Sequence, residues 1–135
     1  MPQFQAVVET ERRLPLAVVS YLEAPEWADY PTGENGDPVD LQGAVWSESA
    51  VQHARDAIAE LYADDARRDE IAQYFEDGHT EQQLAIDLWL TRNGHGAGFW
   101  DRGPGNRYPL LDDHAKHAGS CYLYLGDDGF LYIEQ

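Results

Sequence analysis

Cysteine, lysine and methionine are almost missing from this chain of 135 residues: there is one of each, Cys121, Lys116 and Met1. A single cysteine excludes an internal disulfide and any cysteine-based zinc framework. No apolar run approaches the roughly 18 residues that a membrane helix needs. The longest apolar stretch near the start, Leu14 to Leu22, is interrupted by Pro15 and Ser20. No basic segment leads into an apolar one at the N-terminus, so a signal peptide is not expected. The expectation is a soluble protein of the host-cell cytoplasm. A length of 135 residues fits one domain, 1–135, and 43% hydrophobic and 12% aromatic residues are the content of a folded chain.

Bases are scarce as well. Against 25 acids there are 9, and the formal net charge is −16. Residues 1–40 hold 8 acids and 2 bases, residues 41–80 hold 9 and 3, and residues 81–135 hold 8 and 4. The charge is therefore spread along the chain. A distributed negative field repels nucleic-acid phosphates and attracts basic protein surfaces. Direct nucleic-acid binding is disfavoured and a basic protein partner is favoured. The same composition also serves plain solubility, or the surface of a protein from a salt-loving host.

Phe4 to Val8 and Leu16 to Leu22 read as a first pair of strands, rich in branched and aromatic residues. Ala24 to Asp40 carries Pro25, Pro31, Gly33, Gly36 and Pro38 and reads as an acidic loop anchored by Trp27 and Tyr30. Ser47 can cap a helix from Glu48, with Val51, Ala54, Ile58 and Leu61 on its apolar face and His53, Arg55, Asp56 and Glu60 opposite. Asp64 or Asp65 can cap a second helix, with Ile71, Ala72, Tyr74 and Phe75 inward. Thr80 and Gln83 form a capping box for a third, which buries Leu84, Leu88, Trp89 and Leu90 and stops at Asn93-Gly94. Leu110 to Ala118 gives a fourth, with Leu111, Ala115 and Ala118 inward. Cys121 to Leu125 and Phe130 to Ile133 form a hairpin across Gly126 to Gly129. The fold class is α+β: a small antiparallel sheet, made of this hairpin and the N-terminal strands, packed with three to four helices.

One segment has the look of a site. Residues 90–103 contain Gly94, Gly96 and Gly98 around His95, with Arg92 and Asn93 before and Trp100, Asp101 and Arg102 after. The glycines do not have the dinucleotide-binding spacing, and a helix comes first instead of a strand. A histidine with an aspartate to fix its tautomer is a general base, so His95 and Asp101 are the catalytic candidates of an enzyme reading. Arg92, Asn93, His95, Trp100 and Arg102 are its ligand contacts. The competing reading is a helix-to-strand junction with no chemistry: Phe99 and Trp100 enter the core, and Asp101 pairs with Arg102. His114 and His117 lie three apart on one helix with Asp113 and Cys121 near, but Cys121 falls on a core-facing position and no second ligand pair is evident. No metal and no cofactor are expected. His53 and His79 are isolated and read as exposed.

The stretch Asp87 to Gly103 and the tail Tyr122 to Tyr132 (Tyr-Leu-Tyr-Leu-Gly-Asp-Asp-Gly-Phe-Leu-Tyr) together resemble a family of small uncharacterised proteins of bacteriophages, prophages and plasmids. The resemblance implies a mobile-element setting and no catalytic residue. The composition is similar to that of acidic DNA mimics that block restriction or CRISPR enzymes. Such a mimic sets dense carboxylates on rigid elements, because a duplex carries about one charge per 1.7 Å. The two helices between Glu48 and Asp77 can offer Asp56, Glu60, Asp64, Asp65, Asp69, Glu70, Glu76 and Asp77, interrupted by Arg67 and Arg68. The expected function is inhibition or modulation of a basic nucleic-acid-processing protein. The alternatives are a small enzyme or ligand-binding domain at His95, and an accessory phage protein with a salt-adapted surface.

Overall fold

Residues 14–29, 32–33 and 44–135 are described in the computed structural model. Five α-helices and a four-stranded mixed sheet make up an α+β fold. The helices are α1 (Leu16–Ala28), α2 (Glu48–Leu61), α3 (Asp65–Glu76), α4 (Glu81–Arg92) and α5 (Pro109–Ala118). The strands are β1 (Thr32–Gly33), β2 (Val45–Trp46), β3 (Tyr122–Leu125) and β4 (Phe130–Glu134). The expected strand at Phe4 to Val8 lies outside the described residues.

Helix α1 corrects the expected strand over Leu16 to Leu22. Its buried residues, Ala17, Val18, Tyr21, Leu22, Ala24 and Pro25, recur with helical period. The stretch is apolar on nearly every side, so periodicity does not separate helix from strand until burial is known. Pro25 sits in the last turn, and its carbonyl accepts the Asp29 N–H. The expected loop therefore starts later than Ala24, and Trp27 is an exposed helical side chain instead of an anchor. Tyr30 lies outside the described residues.

The other helices begin where side chains can cap them. Ser47, Asp64 and Thr80 each accept the backbone N–H three residues on, from Ala50, Arg67 and Gln83. On α2 the most buried stripe is Ala50, Ala54, Ala57 and Leu61, while Val51 and Ile58 flank it half-buried. Small residues there leave room for α1, which packs on both α2 and α4. On α3 only Ile71 and Tyr74 are buried; Ala72 and Phe75 are exposed, against expectation. Helix α4 is buried from Leu84 to Arg92 with Ile86 half-buried, and is the central element.

The sheet has the order β1-β3-β4-β2. The hairpin β3–β4 is antiparallel, as expected, with Leu123 opposite Ile133 and Leu125 opposite Leu131. The short outer strands β1 and β2 pair parallel to it, which makes the sheet mixed. Leu123 and Leu131 enter the core with Trp89, Phe99 and Leu111. No helix of the described residues is long and apolar enough to cross a membrane.

Candidate functional site

The glycine-rich segment is tied to α4 at several points. Asp87 has no exposed surface, although its side chain is a carboxyl. Arg102 reaches it with two bonds, Nε to Oδ2 at 2.9 Å and Nη2 to Oδ1 at 2.6 Å. The Tyr74 hydroxyl donates to Oδ2 at 2.6 Å and the Gln83 amide to Oδ1 at 2.9 Å. Gln83 thus spends its side chain on Asp87 and not on closing the capping box. A buried carboxylate is tolerable only with such complete pairing. The Thr91 hydroxyl accepts the Phe99 N–H at 3.1 Å, and Phe99 is fully buried.

Arg92 and Asn93 also serve the fold. Arg92 donates to the carbonyls of Gly119 (2.9 Å) and Ala118 (3.3 Å), closing the C-terminus of α5, where the helix dipole favours a cation. Asn93 donates to the Trp89 carbonyl and accepts the Cys121 N–H at 2.9 Å, joining α4 to β3. Trp100 is 44% exposed instead of entering the core. Asp101 is exposed and is not the partner of His95.

That partner is Asp29, at the end of α1. Its Oδ1 lies 2.8 Å from His95 Nε2, and its Oδ2 accepts from Trp89 Nε1. Asp29 therefore holds the imidazole with Nδ1 directed away from the pair. The dyad has a general base's geometry, but among the described residues no activated nucleophile lies beside it. Cys121 is buried, and burial pushes its thiol pKa up, the reverse of what a thiolate nucleophile needs. Sixty-six residues separate Asp29 from His95, and no local spacing in the sequence signals the pair.

A second polar cluster lies between α1, α2 and α4. Arg92 Nη1 donates to Tyr21 Oη at 3.1 Å, and Tyr21 Oη lies 2.8 Å from His53 Nε2 and 3.9 Å from Cys121 Sγ. His53 is half-buried and engaged, contrary to its exposed reading. Burial, then the nearby Arg92 charge, lowers its pKa from 6.5 to about 4. A neutral His53 can accept a hydrogen bond from the Tyr21 hydroxyl. His79 is likewise packed, its ring 4.5 Å from that of Tyr74.

The His53 shift sets an acid dependence of stability. The unfolded chain protonates His53 below about pH 6.5 while the folded chain resists until about pH 4. Its contribution is complete above the upper value, falls as the pH drops through this window, and is lost below it. Allowing for solvent screening at a half-buried site, it amounts to about 1–2 kcal/mol. Replacing His53 by Gln, whose amide oxygen can still accept from Tyr21, should flatten this part of the profile. Urea midpoints at about pH 7 and about pH 4.5 measure it; an equal loss in both proteins would refute the assignment.

The eight acids expected to contact a partner, on α2 and α3 and at the ends of α3, divide into two groups. Asp64 caps α3, and Glu70 accepts the N–H groups of Leu110 (3.2 Å) and Leu111 (2.8 Å), capping α5 from a neighbouring helix. Asp77 accepts from Tyr108 at 2.6 Å, which holds its carboxyl below the usual range. Asp65 pairs with Arg68. Asp56, Glu60, Asp69 and Glu76 are exposed, and none is ion-paired among the described residues. The interrupting bases have their own task. Arg67 donates to the carbonyls of Leu61 (3.2 Å) and Glu60 (2.8 Å), and Arg68 to that of Tyr62 (2.7 Å). They close the C-terminus of α2, which has no glycine cap.

Among the described residues, no group of three or more histidines, cysteines or acids is arranged to hold a metal ion. His117 bonds the Asp113 carbonyl at 2.8 Å, and burial lowers the pKa of His114. No family model, curated protein or solved structure matches the chain.

Proposed function

We propose that this chain is a non-enzymatic acidic binding protein whose partner is a basic, nucleic-acid-processing protein. The carrying observation is the division of charge on α2 and α3. Asp56, Glu60, Asp69 and Glu76 point to solvent, while Arg67 and Arg68 bond backbone carbonyls. The net charge of −16 adds long-range attraction for a cationic surface. Association by such a field is fast and weakens steeply with salt.

The residues proposed for a ligand site support this reading indirectly. Arg92, Asn93 and Arg102 are engaged with backbone groups and with Asp87, which accounts for them without a ligand. Imitation of a duplex is the finer form of the proposal. The likeness of the C-terminal motifs to phage and prophage proteins directs the search for a partner to host-defence nucleases.

A variant with Asp56→Asn, Glu60→Gln, Asp69→Asn and Glu76→Gln should fold normally, because none of the four caps a helix or joins an ion pair among the described residues. It should lose a partner that the wild-type chain retains from host lysate at low salt and releases at moderate salt. Release of that partner by added duplex DNA supports the mimic form. Equal retention by both proteins overturns the proposal.

A further inference from the structure

The joint between α4 and β3 carries a dipeptide with chemistry of its own. Asn93 is the C-cap of α4, and Gly94 follows it with φ of 70°. An asparagine before a glycine is the pairing most open to loss of its amide, because no Cβ shields the next main-chain nitrogen. The Gly94 nitrogen attacks Asn93 Cγ, its proton leaves with the side-chain amide group as ammonia, and a five-membered imide forms. Water then opens the ring at either carbonyl and leaves aspartate or isoaspartate.

The folded joint opposes each part of this reaction. Asn93 has ψ of 13°, which eclipses the Gly94 nitrogen with the Asn93 nitrogen and turns it away from the side chain. The Gly94 N–H donates to the Thr91 carbonyl at 3.3 Å. The side-chain amide is held at both atoms: Nδ2 donates to the Trp89 carbonyl at 3.0 Å, and Oδ1 accepts the Cys121 N–H at 2.9 Å. These bonds must break before Cγ meets the nitrogen. Neither product restores them all. Aspartate has no N–H for the Trp89 carbonyl, and it sets a negative charge at a helix C-terminus, where the dipole opposes it. Isoaspartate routes the main chain through Cβ and lengthens it between α4 and Gly94.

We infer that Asn93 is a gated deamidation site: it reacts when the α4–β3 joint opens, and its product leaves that joint loosened. The inference goes beyond the acidic-binding reading and does not depend on it. Cys121, the single cysteine, is 6% exposed and lies in the same joint. Its thiol therefore reports the opening that Asn93 requires. Thiol labelling and deamidation are two readouts of one event.

The intact chain is incubated at mildly alkaline pH, folded and in urea, and mapped by mass after trypsin. Cuts after Arg92 and Arg102 separate Asn93 from Asn35, the other asparagine before a glycine, which lies outside the described residues. Folded Asn93 should gain the deamidation mass at least about tenfold more slowly than unfolded Asn93. Asn93→Asp, which imitates one product, should melt at a lower temperature, and its Cys121 should react with an aromatic disulfide reagent several-fold faster than in wild type. Loss of the fold in Asn93→Asp is the stronger form of the same result. Equal conversion with and without urea overturns the gate, and no conversion in urea overturns the site. Wild-type melting and wild-type Cys121 labelling in Asn93→Asp overturn the loosening of the joint.

Discussion

Replacing Arg102 by alanine should cost about 3–5 kcal/mol and lower the melting temperature by roughly 10–15 °C. The variant leaves the Asp87 carboxyl, which has no exposed surface in the wild type, without its cation and held only by Tyr74 and Gln83. Its desolvation is then uncompensated, and the usual stability of a domain is only about 5–15 kcal/mol. Arg107 offers the control. Its contact with Asp77 is long, 3.5 Å, and half-exposed, so Arg107→Ala should cost under about 0.5 kcal/mol. A triple variant with Tyr74→Phe, Asp87→Leu and Arg102→Met removes the acceptor with two of its three donors, and the third, the half-buried Gln83 amide, can turn to water. It should recover most of the stability lost in Arg102→Ala, because a buried ion pair exchanged whole for apolar groups is often neutral. Thermal melts of the four proteins decide this. An Arg102→Ala melt within about 2 °C of wild type would mean that the pair does not hold the segment.

The three alternating glycines should respond to alanine in three different ways. Gly98 has φ of 146°, and an added Cβ would sit 2.3 Å from the Thr91 hydroxyl. Backbone strain and displacement of the Thr91–Phe99 bond together should cost about 2–5 kcal/mol. Gly94 has φ of 70° with nothing within 4 Å, so only the left-handed backbone opposes alanine, at about 1 kcal/mol. Gly96 has open space and no positive φ, and Gly96→Ala should be neutral or stabilising by a few tenths of a kcal/mol. Urea unfolding ranks the three. A large loss at Gly96 with little at Gly98 would reverse the order and point to a site that needs backbone access at His95.

Local chemistry was readable and distant pairing was not. Ser47, Asp64 and Thr80 stand directly before the helices they cap, so these boundaries follow from short-range hydrogen bonding. The hairpin follows from alternation around Gly126 to Gly129. Helix α1 escaped because an apolar run with two prolines carries no clean period. Asp29 meets His95 and Glu70 meets Leu111 only through tertiary packing, and no sequence spacing encodes either contact. One signal was available for Asp87. It lies among Leu84, Leu88 and Trp89 on a helix buried around its circumference, and a carboxylate there requires a nearby base. Arg67 and Arg68 carried a similar signal, following a helix end that lacks glycine.

The division between an acidic binding surface and a structural glycine-rich segment meets its most direct test in one binding experiment. Wild type, the quadruple α2–α3 variant and His95→Ala are each bound to the salt-sensitive partner, with folding of each verified by its melt. Loss of binding in the quadruple variant and retention in His95→Ala is the expected result. Loss in His95→Ala with full binding by the quadruple variant would contradict it and assign the function to the Asp29–His95 dyad.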